Sequence, residues 1–117
     1  MRALTLFLAL SLPVAAEAAD GANGKRLANR WCEACHVVSP EQTSANVDAP
    51  SFADIARRYD APHLTHFLSS PYPRMPDMSL SQREIADLVA YIRSLMPGNP
   101  APHQLEKDEK LPVLRRG

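Results

Sequence analysis

The chain is short of several things. Two cysteines among 117 residues are too few for a disulfide scaffold. No charge sign dominates: 13 Lys and Arg balance 13 Asp and Glu. That excludes the basic excess of a nucleic-acid binder or a polybasic membrane module. Four glycines are few for a turn-rich all-β design. Aromatic residues make up only 6%, so a core built from protein alone is thin. No apolar run reaches the roughly 20 residues that a membrane-spanning helix needs. Proline goes the other way: 11 prolines promise rigid connections between short helices. At this length a single domain is expected.

The first residues read as a targeting segment. Arg2 is a short positive region, Ala3 to Leu12 is apolar, and Pro13 leads into Val14-Ala15-Ala16-Glu17-Ala18. This is the pattern of a secretory signal peptide with an A-x-A site at Ala16 and Ala18. The expectation is cleavage after Ala18, export to a periplasm, a domain over 19–98 and a tail over 99–117. The tail (NPAPHQLEKDEKLPVLRRG) has three prolines, mixed charge and no sustained face, and is expected to be extended. The domain alone is small enough to need a second source of buried contact.

Between these ends the pattern is helical. Asp20 to Ala34 carries Leu27, Ala28 and Trp31 at helical spacing, with Asp20 placed to cap it. Residues 37–50 have no periodicity and read as a loop. Ser51 caps a short helix with Phe52, Ile55 and Ala56 inward. Asp60-Ala61-Pro62 starts another, leading to Leu64, Phe67 and Leu68. Residues 70–78 hold three prolines and cannot be helical. Ser79 or Ser81 then caps the longest helix, with Glu84 at the capping-box position relative to Ser81. Its face is Ile85, Leu88, Val89, Ile92, Leu95 and Met96, and Pro97-Gly98 stops it. No alternating run is long enough for a strand, so the domain is all-α.

The chemistry is concentrated in Trp31-Cys32-Glu33-Ala34-Cys35-His36. C-x-x-C-H is the attachment signature of a c-type haem. On a helix, residues i, i+3 and i+4 share a face, so two thiols and one imidazole are presented together. The thiols match the two vinyl groups of a haem edge, and the imidazole nitrogen suits its iron. A thioredoxin-type motif would need a strand before Cys32, and the preceding stretch is polar and helical. A zinc site would need a fourth ligand from His63, His66 or His103, with no second cysteine pair. Met75 and Met78 offer soft thioethers for the opposite side of an iron, in a loop restricted by Pro71, Pro73 and Pro76. Met75 is the first choice and Met78 the second. His63 and His66, which share a helical face, are the outside candidates for that ligand and otherwise read as surface or propionate-side histidines.

Three stretches, GKRLANRWCEACH (24–36), APSFADIARR (49–58) and SPYPRMPDMSLSQREIADLVAYIRSL (70–95), resemble the class I c-type cytochromes. These are small monohaem electron carriers of bacteria and mitochondria. The resemblance implies an all-α domain wrapped around one covalently attached haem c, serving one-electron transfer rather than catalysis. It implies a monomer that meets redox protein partners transiently at the haem edge. It assigns Met75, directly before Pro76, as the axial partner of His36, with Met78 as runner-up. It gives the Pro50 carbonyl the role of accepting the His36 N–H. It sets Gly24, eight residues before Cys32, against Tyr91 of the last helix. Ala28 stands where the family often has an aromatic, and Trp31 is expected to replace some of that bulk. Two other readings remain: a haem-bearing subunit docked through 99–117 on a periplasmic dehydrogenase or oxidase, and a haem ligand sensor should neither methionine hold iron.

Overall fold

The computed structural model describes residues 17–46 and 48–98. Apart from Glu17 and Ala18, the expected signal peptide lies outside the described residues, as does the whole expected tail with His103. The described residues form four helices and no strand: α1 Gly21–Trp31, α2 Phe52–Arg58, α3 Ala61–Ser69 and α4 Gln82–Ser94.

Each helix starts where a side chain can satisfy its first amide groups. Asp20 accepts from the amides of Ala22 and Asn23. Ser51 accepts from Asp54, and Asp60 from His63, with Pro62 in the first turn. Ser81, not Ser79, caps α4 and completes a reciprocal capping box with Glu84. Ser79 instead has a left-handed backbone, φ 53°, steadied by its N–H on Asp77 Oδ1 at 2.7 Å.

The ends are less well matched to the periodicity. α1 stops at Trp31 rather than Ala34. The reason is visible in the hydrogen bonds: the amides of Cys32 and Glu33 both use the Ala28 carbonyl, at 2.9 and 3.1 Å. The longer of these reaches back five residues, so the 3.6-residue pitch is lost there. α4 likewise ends at Ser94, with Leu95 as its C-cap.

α4 is the hub, packing on α1 most extensively and also on α2 and α3. Ile85, Leu88, Val89 and Ile92 are buried with Ala28, Val38, Phe52, Ala56, Leu64 and Leu68 in one apolar cluster. Each large member contributes about 1.5–3 kcal/mol by leaving water. α1 meets α4 at Gly24. A β-carbon there would stand 2.6 Å from the Asp87 carbonyl carbon and 2.8 Å from Tyr91 Cβ, closer than side chains pack. The expected contact of Gly24 with Tyr91 is present, and only hydrogen fits it. Asp87, buried on the same face, accepts from the Asp20 amide (2.7 Å) and Asn23 Nδ2 (2.8 Å). The first turn of α1 is thus tied to α4 by a fully satisfied carboxylate.

The expected role of Trp31 as core bulk is not met. Trp31 is 47% exposed and packs under the Arg30 guanidinium, 4.9 Å from its ring centre. Position 28 keeps an alanine of zero exposure instead, because α4 already lies close at the Gly24 crossing.

Candidate haem-attachment site

The motif lies in the turn that follows α1. The Cys32 carbonyl accepts from Cys35 (3.1 Å) and His36 (2.9 Å), so after the break at Glu33 the chain takes up roughly helical pitch again for one turn. Cys32 is buried and Cys35 exposed, and neither is in a disulfide. Burial, and then the neighbouring Cys35, push the Cys32 thiol up to about 11. Cys32 is therefore held as a neutral thiol packed against the core.

His36 is oriented from the next element. Its Nδ1 lies 2.7 Å from the Pro50 carbonyl oxygen. An oxygen acceptor there makes Nδ1 the donor, and in the neutral ring Nε2 then keeps its lone pair. Pro50 is placed by α2: Ser51 caps that helix, and the Phe52 amide bonds the Val37 carbonyl at 2.9 Å. Phe52 tilts against the imidazole, with ring centres 5.6 Å apart. On the far side of the loop, Tyr91 of α4 donates its hydroxyl to the Val38 carbonyl at 2.7 Å. Burial, aided by the Glu41 carboxylate, pushes that hydroxyl up to about 12.

The two methionines differ in surroundings. Met75 is half-buried and packed against the apolar cluster, with its amide on the Pro71 carbonyl at 3.4 Å. Met78 is also half-buried but is not among the side chains packed on that cluster. Of the residues expected around a haem, Phe52, Leu64, Leu68, Leu88 and Ile92 are buried; Leu27 and Phe67 are half-buried. His63 and His66 are exposed on α3, and His63 stacks on Tyr59 at 4.6 Å. Among the described residues no three His, Cys, Asp or Glu side chains gather as a metal-ion cluster, which removes support for the zinc reading. α1, not a strand, leads into Cys32, which removes it for the thioredoxin reading.

These donors fit a haem. Two unpaired thiols three residues apart, an imidazole whose outer nitrogen is already committed to a carbonyl, and a thioether against an apolar cluster are the groups that it requires. Two structural residues gave no recognisable signal beforehand. Gln42 bonds four backbone groups around the motif, and Arg93 bonds the carbonyls of Ala56 (2.5 Å) and Tyr59 (2.8 Å) at the end of α2.

Comparison with known proteins agrees with this chemistry. The family model described as "Cytochrome C oxidase, cbb3-type, subunit III" matches residues 19–92. The curated protein "Cytochrome c-552" of Bradyrhizobium diazoefficiens (strain JCM 10833 / BCRC 13528 / IAM 13628 / NBRC 14792 / USDA 110) is 47% identical over 100 residues, covering 83% of this chain and 96% of that protein. No solved structure matches.

Proposed function

The chain belongs to the c-type cytochromes and carries electrons through covalently bound haem c, and from that premise we propose the ligands, location and partners. Cys32 and Cys35 form the thioether links. His36 and Met75 would hold its iron, with Met78 as the runner-up to Met75. Bound haem supplies a one-electron couple in its iron, and the protein sets how that couple behaves.

The observation that carries this reading is the 2.7 Å approach of His36 Nδ1 to the Pro50 carbonyl. It fixes the tautomer that leaves Nε2 free for a metal and makes the ring a better donor. Phe52, Leu64, Leu88 and Ile92 keep water away, which favours the less charged reduced centre. Two such donors would occupy the iron of a bound haem and leave it no site for a substrate. The protein then acts as a carrier rather than an enzyme, a monomer meeting redox proteins in small transient contacts. Among the described residues no helix is long and apolar enough to cross a membrane. Export by a signal peptide cleaved after Ala18, to a periplasm, is part of the same proposal.

The test is an optical spectrum of purified protein in both redox states, beside a denaturing gel. Haem that stays with the polypeptide, and a weak far-red sulfur-to-iron band in the oxidised state, are expected. Haem that extracts freely into acidified acetone would sink the attachment; a missing band would sink the methionine. Intact mass should equal residues 19–117 plus one haem.

A second reading has one observation in its favour: the matching family model describes an oxidase subunit. In that case the chain is a haem-bearing subunit docked on an oxidase. Stable co-purification with an oxidase would favour it, and a monomer free of partners would favour the carrier. Carbon monoxide binding by the reduced protein at neutral pH would instead indicate a haem ligand sensor.

A further inference from the structure

The described residues of the loop over 37–50 form no helix or strand of their own, yet the loop adjoins the residue proposed to hold iron. One side chain ties it to the motif. Gln42 Oε1 accepts from the Val38 amide at 2.9 Å. Its Nε2 donates to the carbonyls of Ser44 (2.9 Å), His36 (3.0 Å) and Glu33 (3.1 Å). The orientation of the amide is set by chemistry: the nitrogen side faces three carbonyls and the oxygen side faces an N–H. Two amide hydrogens serve three acceptors, so one is shared. Two of the four partners lie inside Cys32–His36, one follows it, and one belongs to the returning chain.

We propose that Gln42 is a positioning residue for His36. The imidazole is restrained at its ring by Pro50 and at its backbone by Gln42. The first bond fixes the tautomer; the second fixes the peptide from which the ring projects. Together they set the plane of the ring with two separate anchors, so that the ring keeps one plane in both redox states. Tyr91 adds a third tie through the Val38 carbonyl, but it touches neither atom of the His36 peptide. The chemistry that makes Gln42 suitable is specific: glutamate keeps its length and its acceptor, yet turns the three donated bonds into oxygen facing oxygen. Asparagine is too short to span the loop.

The inference rests on His36 as an iron ligand, and the experiment separates the two. In wild-type holoprotein, proton resonances of the haem methyl groups in the oxidised state report the plane of the axial imidazole, and the far-red band reports the methionine. Gln42→Glu and Gln42→Ala should each reorder the haem-methyl resonances while keeping the band. Thr43→Ala, exposed in the same loop, should leave both unchanged. A lowered melting temperature with an unaltered methyl pattern would overturn the proposal, since it assigns Gln42 to the fold alone. Wild-type protein supplies a measurement independent of the variants: the Gln42 side-chain amide protons should be protected from exchange with solvent. Free exchange of both would overturn the clamp even if neither variant yields holoprotein. Failure of the ligand reading appears elsewhere, as a wild-type spectrum without histidine ligation.

Discussion

The α1–α4 crossing and the ligand-bearing loops are held in opposite ways. At the crossing, regular helices meet through backbone: Gly24 lies against the Asp87 peptide, and the buried Asp87 carboxylate is partnered by the Asp20 amide and the Asn23 side chain. In the described residues of the loops over 37–50 and 70–80, the backbone is irregular and isolated bonds stand in for the regular ladder of a helix. Gln42, the Pro50 carbonyl and the Tyr91 hydroxyl are the ties around His36. The lesson is that the frame depends on size and the site on hydrogen-bond direction. Adding a methyl should destroy the first, and exchanging a donor for an acceptor should disturb the second.

Breaking the frame should have the largest effect. Gly24→Ala forces a β-carbon against helix backbone that cannot yield, at upwards of about 3 kcal/mol. Chemical denaturation of the holoprotein should show that loss with the haem still attached through its cysteines. Asp87→Ala leaves the Asp20 amide and the Asn23 amide without an acceptor, for about 2 kcal/mol. The same denaturation curve measures it, and Asp87→Asn should recover part of the loss through its remaining carbonyl.

Loop variants should dissociate site from frame. Met75→Ala should abolish the far-red band and lower the reduction potential, with helical circular dichroism intact. Met78→Leu should keep the band and cost less than about 1.5 kcal/mol. The reverse pattern would transfer the ligand to Met78 and leave the electron carrier standing.

Tyr91 joins the two regions, so Tyr91→Phe sharpens the comparison. Losing its bond to Val38 should cost about 1 kcal/mol. It should also remove a pH dependence. The hydroxyl is pushed up from 10.0 to about 12 in the fold, so the folded chain holds that proton more tightly than the unfolded one. Stability from this source is complete below pH 10 and is lost as pH rises through about 12. Denaturant midpoints measured across that range should fall less steeply in Tyr91→Phe than in wild type. The smallest effect is expected for deletion of 99–117: haem content and spectrum should not change.

Much of this was legible from residue order. Ser51, Asp60 and Ser81 announce helix starts because a short side-chain oxygen before an apolar face has few other uses. C-x-x-C-H announces the attachment chemistry because its i, i+3, i+4 spacing brings two thiols and an imidazole to one turn. What escaped has a common cause. Trp31 was misplaced because spacing alone does not say which side of the last turn of α1 faces the core: Trp31 ends the helix on its exposed side, under the Arg30 guanidinium. Gln42 was invisible because a lone polar residue in an aperiodic loop gives no pattern; its meaning depends on four backbone groups brought together by folding. Asp87 was hidden among apolar neighbours, its partners being more than sixty positions away.

The reach of Arg93 has a bearing on the order in which the molecule assembles. Its guanidinium bonds the carbonyls of Ala56 and Tyr59 at the end of α2, 37 and 34 positions earlier. Those carbonyls carry the negative end of a helix only seven residues long, too short to persist alone in water. α4 therefore adds a cation to a helix end that already carries Arg57 and Arg58. A helix this short depends on that docking, and its amides should exchange with solvent in the same cooperative opening as those of the last helix.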